Sequence, residues 1–525
     1  MALAVVTADE MRELDRITIE ELGIPGVVLM EVAGRGVAEV VQELAPTLVG
    51  WRVAIVCGAG NNGGDGYVVA RHLALRGAEV QLLLLAPRDR IRGDALRNLE
   101  VAEKLQLPME WLEDDGAVEG LATRLAEFDC VVDALLGTGL SSDVRGRYRL
   151  VVEAINAARV LTVAVDIPSG LSADTAQPLG VAVEADVTVT FAQPKVGLVS
   201  HPGVEYAGDV HVVDIGIPGD LVSRLGVRCH LLEERDVSAV VPTRRLGGHK
   251  GTYGHVLAVA GSPGKTGAAV LCARAAARVG AGLVTVAVPE DAQQAVAAQS
   301  LETMTEVYTA DSGSIDPDAC LERLAALCRG KQALVVGPGI PNQPEMLEVL
   351  RELLSDAVIP VVLDADGLNL VARAPALLDQ VTAPLVLTPH PGEMARLLGR
   401  EIAEVQADRV KTAREAAARF GAYVVLKGAR TVIAAPDGTA FINPTGNPGL
   451  GSGGVGDVLT GMLGGFLAQA IDPLEAVQLA VYLHGVAGDR AAQRLGQHAV
   501  LAGDLLDEVP VVLKRWEDRL DALSG

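Results

Sequence analysis

Two short stretches concentrate residues that could do chemistry. The first is CGAGNNGGDG, in which Asn61, Asn62, Gly63, Gly64 and Asp65 crowd together after Gly58 and Gly60. Glycines let the backbone approach an anion, and a helix beginning near Gly66 would aim its free amides at the same loop. The paired Asn side chains add amide oxygens suited to a hard cation or a hydroxylated ligand. The second is NPTGNPGLGSGGVGDVLTGML, residues 443–463. Here a loop through Gly453, Gly454 and Gly456 leads to an apolar helix that Asp457 is expected to open. Such a loop and helix start can form an anion hole for a transferring phosphoryl group, where one preorganised donor is worth roughly a hundred- to thousand-fold in rate. Asp457 would be placed to take the proton of an attacking hydroxyl, whereas as an N-cap alone it would contribute about 1 kcal/mol.

Gly58, Gly60 and Gly63 also match the dinucleotide fingerprint G-x-G-x-x-G. That fingerprint wants an acidic residue at the end of the next strand, which instead ends Leu85-Ala86-Pro87-Arg88. A structural Asn-Gly turn is the plainer alternative, but a turn seldom needs two Asn, two Gly and an Asp together. Two further strand ends carry polar residues. Cys130–Asp133 runs into ALLGTGLSSD, and Leu161–Val165 runs into Asp166-Ile-Pro-Ser169-Gly. In a doubly wound sheet the carboxyl ends of the strands share one edge, so Asp133, Asp166 and Asn61–Asp65 can converge. Taken singly, each strand-end Asp could equally be a helix cap.

In the second half Gly337-Pro-Gly339, Asp364-Ala-Asp366 and His390-Pro-Gly-Glu393 each follow a strand, and together they offer carboxylates for Mg²⁺. Lys427-Gly428-Ala429-Arg430-Thr431 offers cations for a nucleotide phosphate. Gly264-Lys265-Thr266 imitates the end of a P-loop, but Val259 stands where that motif requires glycine. His484, in a late helical pattern, reads as packing or capping rather than chemistry.

The elements that must position these residues alternate along the chain. Apolar runs at Arg52–Cys57, Val80–Leu85, Cys130–Asp133, Leu161–Val165, Val187–Phe191 and Val210–Val213 are separated by helical patterns such as Met11–Leu22 and Val27–Glu43. The rhythm lapses between Gly216 and Arg245, then resumes at His255–Ala260, Leu283–Val288, Ala333–Val336, Val361–Leu363, Leu385–Leu387 and Tyr423–Leu426. Thr431–Ala434 and Thr439–Ile442, around Pro-Asp-Gly, predict a hairpin. The expectation is an α/β protein of two domains, residues 1–228 and 229–525, each built on βαβ units.

Bulk properties narrow the partners. A formal net charge of −23 disfavours nucleic acid or an anionic membrane, although local amides can still hold a small anion. No apolar stretch approaches the roughly 20 residues needed to span a bilayer. The N-terminal residues show no basic and apolar signal pattern, and the six scattered cysteines read as reduced thiols, so a cytoplasmic protein is expected. A homo-oligomer is the expected assembly, though no residue pattern in the sequence settles it.

The first half resembles the NAD(P)H-hydrate epimerase family in NNGGDG, DALLGTG and DIPSG. The second resembles the ADP-dependent NAD(P)H-hydrate dehydratase family in HKGTYGHV, GSPGKTGAA, VGPG, LDADGLN, TPHPGE, KG-x-x-T and NPG-x-x-x-GG-x-GD. The resemblance covers nearly the whole chain. It implies a Rossmann-like doubly wound sheet followed by a ribokinase-like α/β domain. The implied activity is repair: the R and S hydrates of NAD(P)H are interconverted, and the S hydrate is dehydrated while ADP becomes AMP and phosphate.

The resemblance also implies residue roles. Asn61–Asp65 would bind the hydrate, as would the loop of Gly137, Thr138, Gly139, Leu140, Ser141, Ser142 and Asp143. Asp166 would meet its reacting end, and Asn62, Asp133 and Ser169 would hold K⁺. In the second half Ala268, Gly339, His390 and Asp457 would face the hydrate, with Asp457 as base. Lys427–Thr431 and Gly456 would hold the adenylate, and Mg²⁺ would accompany ADP, with Glu393 as its candidate ligand. Val455 replaces a Thr frequent in the family, and Lys265 a Met, which puts rate rather than reaction in doubt. A ribokinase-class small-molecule kinase and a first domain reduced to a binding module are the competing readings. The fused NNGGDG domain argues against the kinase, and intact Asn62, Asp133, Asp166 and Ser169 argue against the binding module.

Overall fold

A computed structural model describes residues 2–524. The chain forms two compact units, Ala4–Cys229 and a second comprising His230 onward together with the residues before Ala4. A two-residue strand, β1 (Leu3–Ala4), joins the sheet of the second unit.

The first unit is built on a seven-stranded sheet of β2 (Arg52–Cys57), β3 (Glu79–Leu84), β4 (Met109–Trp111), β5 (Cys130–Ala134), β6 (Leu161–Val165), β7 (Val187–Phe191) and β8 (Asp209–Val213). Its order is β4-β3-β2-β5-β6-β7-β8, and every pairing is parallel. The strands read as continuous apolar runs because both faces are covered. Val53, Ile55 and Cys57 enter one core cluster, while Ala54 and Val56 enter the other. The order reverses between β2 and β5, so the crevice where a doubly wound sheet binds ligands opens at Cys57 and Ala134.

The helix after β2, α1 (Asn61–Leu75), begins five residues before the expected Gly66. Its glycines serve packing rather than a loop. A Cβ on Gly63 would lie 2.1 Å from the Gly58 carbonyl oxygen, and one on Gly66 would lie 2.7 Å from both Ala134 Cβ and Cys57 Sγ. Further upstream, the predicted Met11–Leu22 helix is α-helical only over Ala8–Arg16 and continues as a π-helical turn, Ile17–Glu21.

The second unit carries an eleven-stranded sheet. It contains β9 (Cys229–Leu231), β10 (His255–Val259), β11 (Leu283–Pro289), β12 (Met304–Thr309), β13 (Ala333–Val336), β14 (Val361–Leu363), β15 (Leu385–Leu387), β16 (Tyr423–Leu426), β17 (Val432–Ala434) and β18 (Ala440–Ile442). From β12 through β11, β10, β13, β14 and β15 to β16 the pairings are parallel. The hairpin β17–β18 then continues the sheet antiparallel, as its Pro-Asp-Gly spacing predicts. Here the order reverses between β10 and β13.

Two helices flank that switch point, α2 (Thr266–Arg278) and α3 (Val455–Ala468), and they approach closely because Gly461 faces α2. A long helix, α4 (Pro473–Leu495), packs beside α3. Among the described residues no helix is long and apolar enough to cross a membrane.

Candidate active sites

In the first unit the amides of α1 open onto the β2–β5 crevice. The helix starts at Asn61 with Gly60 as its N-cap, and Gly64 N is the donor to the Gly60 carbonyl, so the free amides are those of Gly60 to Gly63. Asn62 is buried; its Nδ2 donates to the Leu136 carbonyl at 3.1 Å, and its Oδ1 is buried without a hydrogen-bond partner. Leu136 also meets Ser169: its N–H donates to Ser169 Oγ at 2.7 Å, and Ser169 Oγ lies 3.1 Å from its carbonyl oxygen. Ser169 Oγ donates to Asp133 at 2.6 Å, and Ser169 N at 2.8 Å. Asn62 and the Asp133–Ser169 pair, all three buried, are therefore linked through the Leu136 backbone. Burial pushes the Asp133 carboxyl up to about 6, against hydrogen bonds from Ser169 and Leu135 that favour its ionised form.

Gly137 belongs to the same wall, since its Cβ would stand 3.3 Å from Asn62 Cβ. Beyond it Thr138 and Leu140 are half-buried, whereas Gly139, Ser141, Ser142 and Asp143 are exposed, and Asp143 lies 3.4 Å from Arg145.

Asp166 stands at the end of β6 with φ +65°, a strained value for a residue with a side chain. It is ion-paired with Lys195, whose side chain is fully buried and also donates to Thr190 Oγ1 and to the Phe191 carbonyl. Two more carboxyls feel this pair. Asp65, buried, is driven well above its usual range first by desolvation and then by Asp166. Asp15, on the first helix, is raised to about 6 by burial and then by Asp166. Sequence reasoning missed Lys195 and Asp15, because neither sits in a glycine-rich turn or at a strand end.

In the second unit the switch point is lined by Ser262, Ala268 and Gly339. Ser262 Oγ donates to the Gly339 carbonyl at 2.8 Å, and a Cβ on Gly339 would touch Ala268 Cβ at 3.3 Å. Lys265 is paired with Asp366 at 2.9 Å, which offsets its added charge at the rim.

The glycine-rich loop ends at Gly454, the N-cap of α3 with φ +88°, so Asp457 is the third residue of the helix and not its opening residue. The free amides are those of Gly454, Val455, Gly456 and Asp457, because Val458 N donates to the Gly454 carbonyl. His484 steadies this turn. It is buried, its Nε2 lies 3.0 Å from the Val455 carbonyl, and burial pushes its pKa down to about 4, so it is neutral and packs as its sequence context predicts.

Below the amides lies a charged cluster. Asp364, fully buried at the end of β14, accepts from Lys427 Nζ at 2.7 Å and from Thr460 Oγ1 at 2.6 Å. Burial opposes its charge, but Lys427 and these hydrogen bonds hold its pKa below the usual range. Glu393 lies 3.9 Å from Lys427 and is pushed up to about 7, chiefly by burial. Burial opposes the charge of Lys427 too, yet Asp364 and Glu393 hold its pKa above the ordinary value. Asp457 is raised to about 6 by burial and then by Asp364.

His390 caps the helix Pro391–Leu398. Its Nδ1 accepts from the amides of Gly392 and Glu393, which leaves the proton on the half-exposed Nε2 side. Past Lys427, Gly428 and Ala429 are exposed, Arg430 has φ +53°, and Thr431 Oγ1 donates to the Gly428 carbonyl at 2.9 Å. Buried Arg409 braces the turn from behind by donating to the Leu426 and Lys427 carbonyls. Thr460 thus joins the residues singled out from sequence, Asp364 among them, and Lys427 parts from the rest of its loop. Asp364 does not fit the expected role of metal ligand, because the Lys427 ammonium already pairs with it.

The NAD(P)H-hydrate dehydratase family profile matches residues 256–511, and that of the YjeF-related protein N-terminus matches residues 26–197. A bifunctional NAD(P)H-hydrate repair enzyme of Moorella thermoacetica is 47% identical over 99% of this chain and 98% of its own length. The enzyme of the same description from Thermofilum pendens is 41% identical, with 99% and 98% covered. Among solved structures, the ADP/ATP-dependent NAD(P)H-hydrate dehydratase from Bacillus subtilis, co-crystallised with ATP and Mg²⁺, is 36% identical and superposes with a TM-score of 0.49. It covers 55% of this chain and 98% of its own. With a Rossmann-like first unit and a ribokinase-like second unit, the chain belongs to the family of bifunctional NAD(P)H-hydrate repair enzymes.

Proposed function

We propose that the two units act in succession on hydrated NAD(P)H, the first exchanging the R and S epimers and the second dehydrating the S form with ADP. The observation that carries the second step is the meeting of free amides, the Asp457 carboxylate and the Lys427 ammonium at the start of α3. Hydroxide is a poor leaving group, so the hydrate's hydroxyl must first be made a better one. Its oxygen bonds to the β-phosphorus of ADP, the bridging P–O bond to AMP breaks, and Asp457 accepts the hydroxyl proton. The C–O bond then breaks with phosphate leaving, and loss of a proton from the adjacent ring carbon restores NAD(P)H. The α3 amides face the charge that transfer spreads over the phosphoryl oxygens. Ala268, Gly339 and His390 line the hydrate's side of the crevice, and Gly428–Thr431 with Gly456 hold the adenylate.

In the first unit Asn61–Asp65 and Gly137–Asp143 bind the hydrate, and Asp166 contacts its reacting end. Asn62, Asp133 and Ser169 suit K⁺, because the buried Asn62 Oδ1 has no hydrogen-bond partner and Asp133 and Ser169 offer oxygen donors. A bound K⁺ would offset the buried Asp133 charge. For Mg²⁺ brought by the nucleotide, Glu393 is the candidate carboxylate, with one oxygen on the His390 amide and the other 3.4 Å from His390 Nε2. Mg²⁺ would neutralise phosphate charge there. Free cysteines suit a reducing, cytoplasmic setting.

The test is to incubate the protein with mixed hydrate epimers, K⁺ and Mg-ADP, following absorbance at 340 nm. Full recovery with AMP and phosphate released is expected. Phosphorylation of a vitamin-like alcohol with no NADH returned would make it a kinase instead.

A further inference from the structure

The Lys427 side chain leaves its loop. Its Nζ is held 2.7 Å from Asp364 Oδ1, while the other Asp364 oxygen accepts from Thr460 Oγ1, which lies 3.1 Å from the Gly456 carbonyl. One buried carboxylate therefore fixes both the lysine and the first turn of α3. The two are adjacent: a Cβ on Gly456 would stand 3.6 Å from Lys427 Nζ and 4.0 Å from Asp364 Oδ2. Meanwhile the turn that follows Lys427 closes on itself through Thr431 and Gly428 and is braced by Arg409, without help from the lysine head.

We propose that Lys427 is the cation that meets the phosphoryl group during its transfer from ADP to the hydrate's hydroxyl, and that Asp364 is the positioning residue that sets it there. This rests on the dehydratase reading of the site and divides the loop: the lysine serves the reaction, and Gly428–Thr431 serve the adenylate. Transfer leaves negative charge on the oxygens around phosphorus, and helix amides supply only partial positive charge. A full charge already fixed by an ion pair needs no reorganisation at that moment. Lys427 keeps its proton throughout; the hydroxyl proton passes to Asp457, and the electron pair of the broken P–O bond stays on AMP. A buried ion pair is also a poor device for stability alone, since apolar residues of similar volume commonly serve as well or better.

The test uses the full chain with the S hydrate of NADH and Mg-ADP, comparing Asp364→Asn, Lys427→Met and the double variant. Each single variant is expected to lower kcat by about 100-fold or more, with the KM for ADP changing less than about threefold. The double variant should be no slower than Lys427→Met, because Asp364 acts through the lysine. It also leaves neither charge of the pair unpartnered, so a double variant that unfolds near the parent temperature and is still about 100-fold slow separates lost function from lost folding. A raised KM with unchanged kcat in Lys427→Met would overturn the proposal and leave a nucleotide-binding lysine. Additive losses in the double variant would give Asp364 a role of its own and overturn the positioning claim. Failure of the unsubstituted enzyme to return NADH would sink the dehydratase reading itself, a separate outcome.

Discussion

Lys195 is wholly buried and ion-paired with Asp166, whose backbone is held at φ +65° where β6 ends. The pair is unequal, because the Asp166 side chain keeps 15% of its surface exposed and the Lys195 side chain none. Asp166→Asn therefore strands a buried ammonium, which typically costs about 3–5 kcal/mol. Denaturant titration of the first unit should show that loss and epimer exchange should cease, while dehydration of supplied S hydrate continues. Lys195→Met leaves a carboxyl that water can still reach, and should destabilise less. Equal losses from the two variants would contradict the asymmetry.

The orphaned Asn62 Oδ1 makes the K⁺ assignment testable without a bound ion. Epimer exchange should rise with added K⁺ and not with Li⁺, whose smaller radius cannot span the cluster. Asn62→Ala should weaken that dependence. Asp133→Ala should abolish exchange while the S hydrate is still repaired, leaving the R hydrate to spontaneous conversion. Exchange kinetics in K⁺-free buffer that match those in K⁺ would remove the ion from the site.

The parallel strands were legible because burial on both faces leaves continuous apolar runs, and the strand-end Asp133 and Asp166 followed from them. Helix starts were misplaced where glycine signals close packing instead of a turn. Gly63 and Gly66 lie inside α1 against Gly58 and Ala134, so the Asn pair sits on a helix and not in a loop before it. Gly456 also lies inside α3, although a Cβ there would meet nothing nearer than 3.6 Å. Lys195, Thr460 and Asp15 carry no local signature, since what marks each is a partner brought close by the fold: Asp166 for Lys195 and Asp15, and Asp364 for Thr460. Asp364 was read as a free carboxylate for Mg²⁺ because the sequence does not show that Lys427 and Thr460 already occupy it.

Close helix packing gives a prediction for the second unit. A Cβ on Gly461 would lie 2.1 Å from the Cys272 carbonyl oxygen, a backbone atom of α2 that cannot yield by rotating a side chain. Gly461→Ala must push α2 and α3 apart, and such overpacking typically costs about 1–3 kcal/mol. Because α3 carries the proposed anion hole, dehydration should fall along with the unfolding midpoint of the second unit, whereas epimer exchange should not change. A variant as stable and active as the parent would show that the two helices can separate freely.

Asp457 ties activity and stability together with opposite signs. Burial first, and then the Asp364 charge, raise it to about 6, and a proton acceptor must be ionised. Dehydration should therefore be level above about pH 7 and fall roughly tenfold per unit well below pH 6. Folding has the reverse preference. Between the unfolded value of 3.8 and about 6 the native state binds more protons than the unfolded chain, so ionising Asp457 costs stability as pH rises through that window. Asp457→Asn removes the charge but keeps the shape. It should abolish dehydration, spare epimer exchange, and raise stability at pH 7 by on the order of 3 kcal/mol. Stability that is unchanged between pH 4 and 7 in a comparison of parent and variant would mean that the carboxyl is solvated like any surface acid. A carboxyl so poorly solvated is destabilising in the resting fold, which is the cost expected of the proton acceptor we propose it to be.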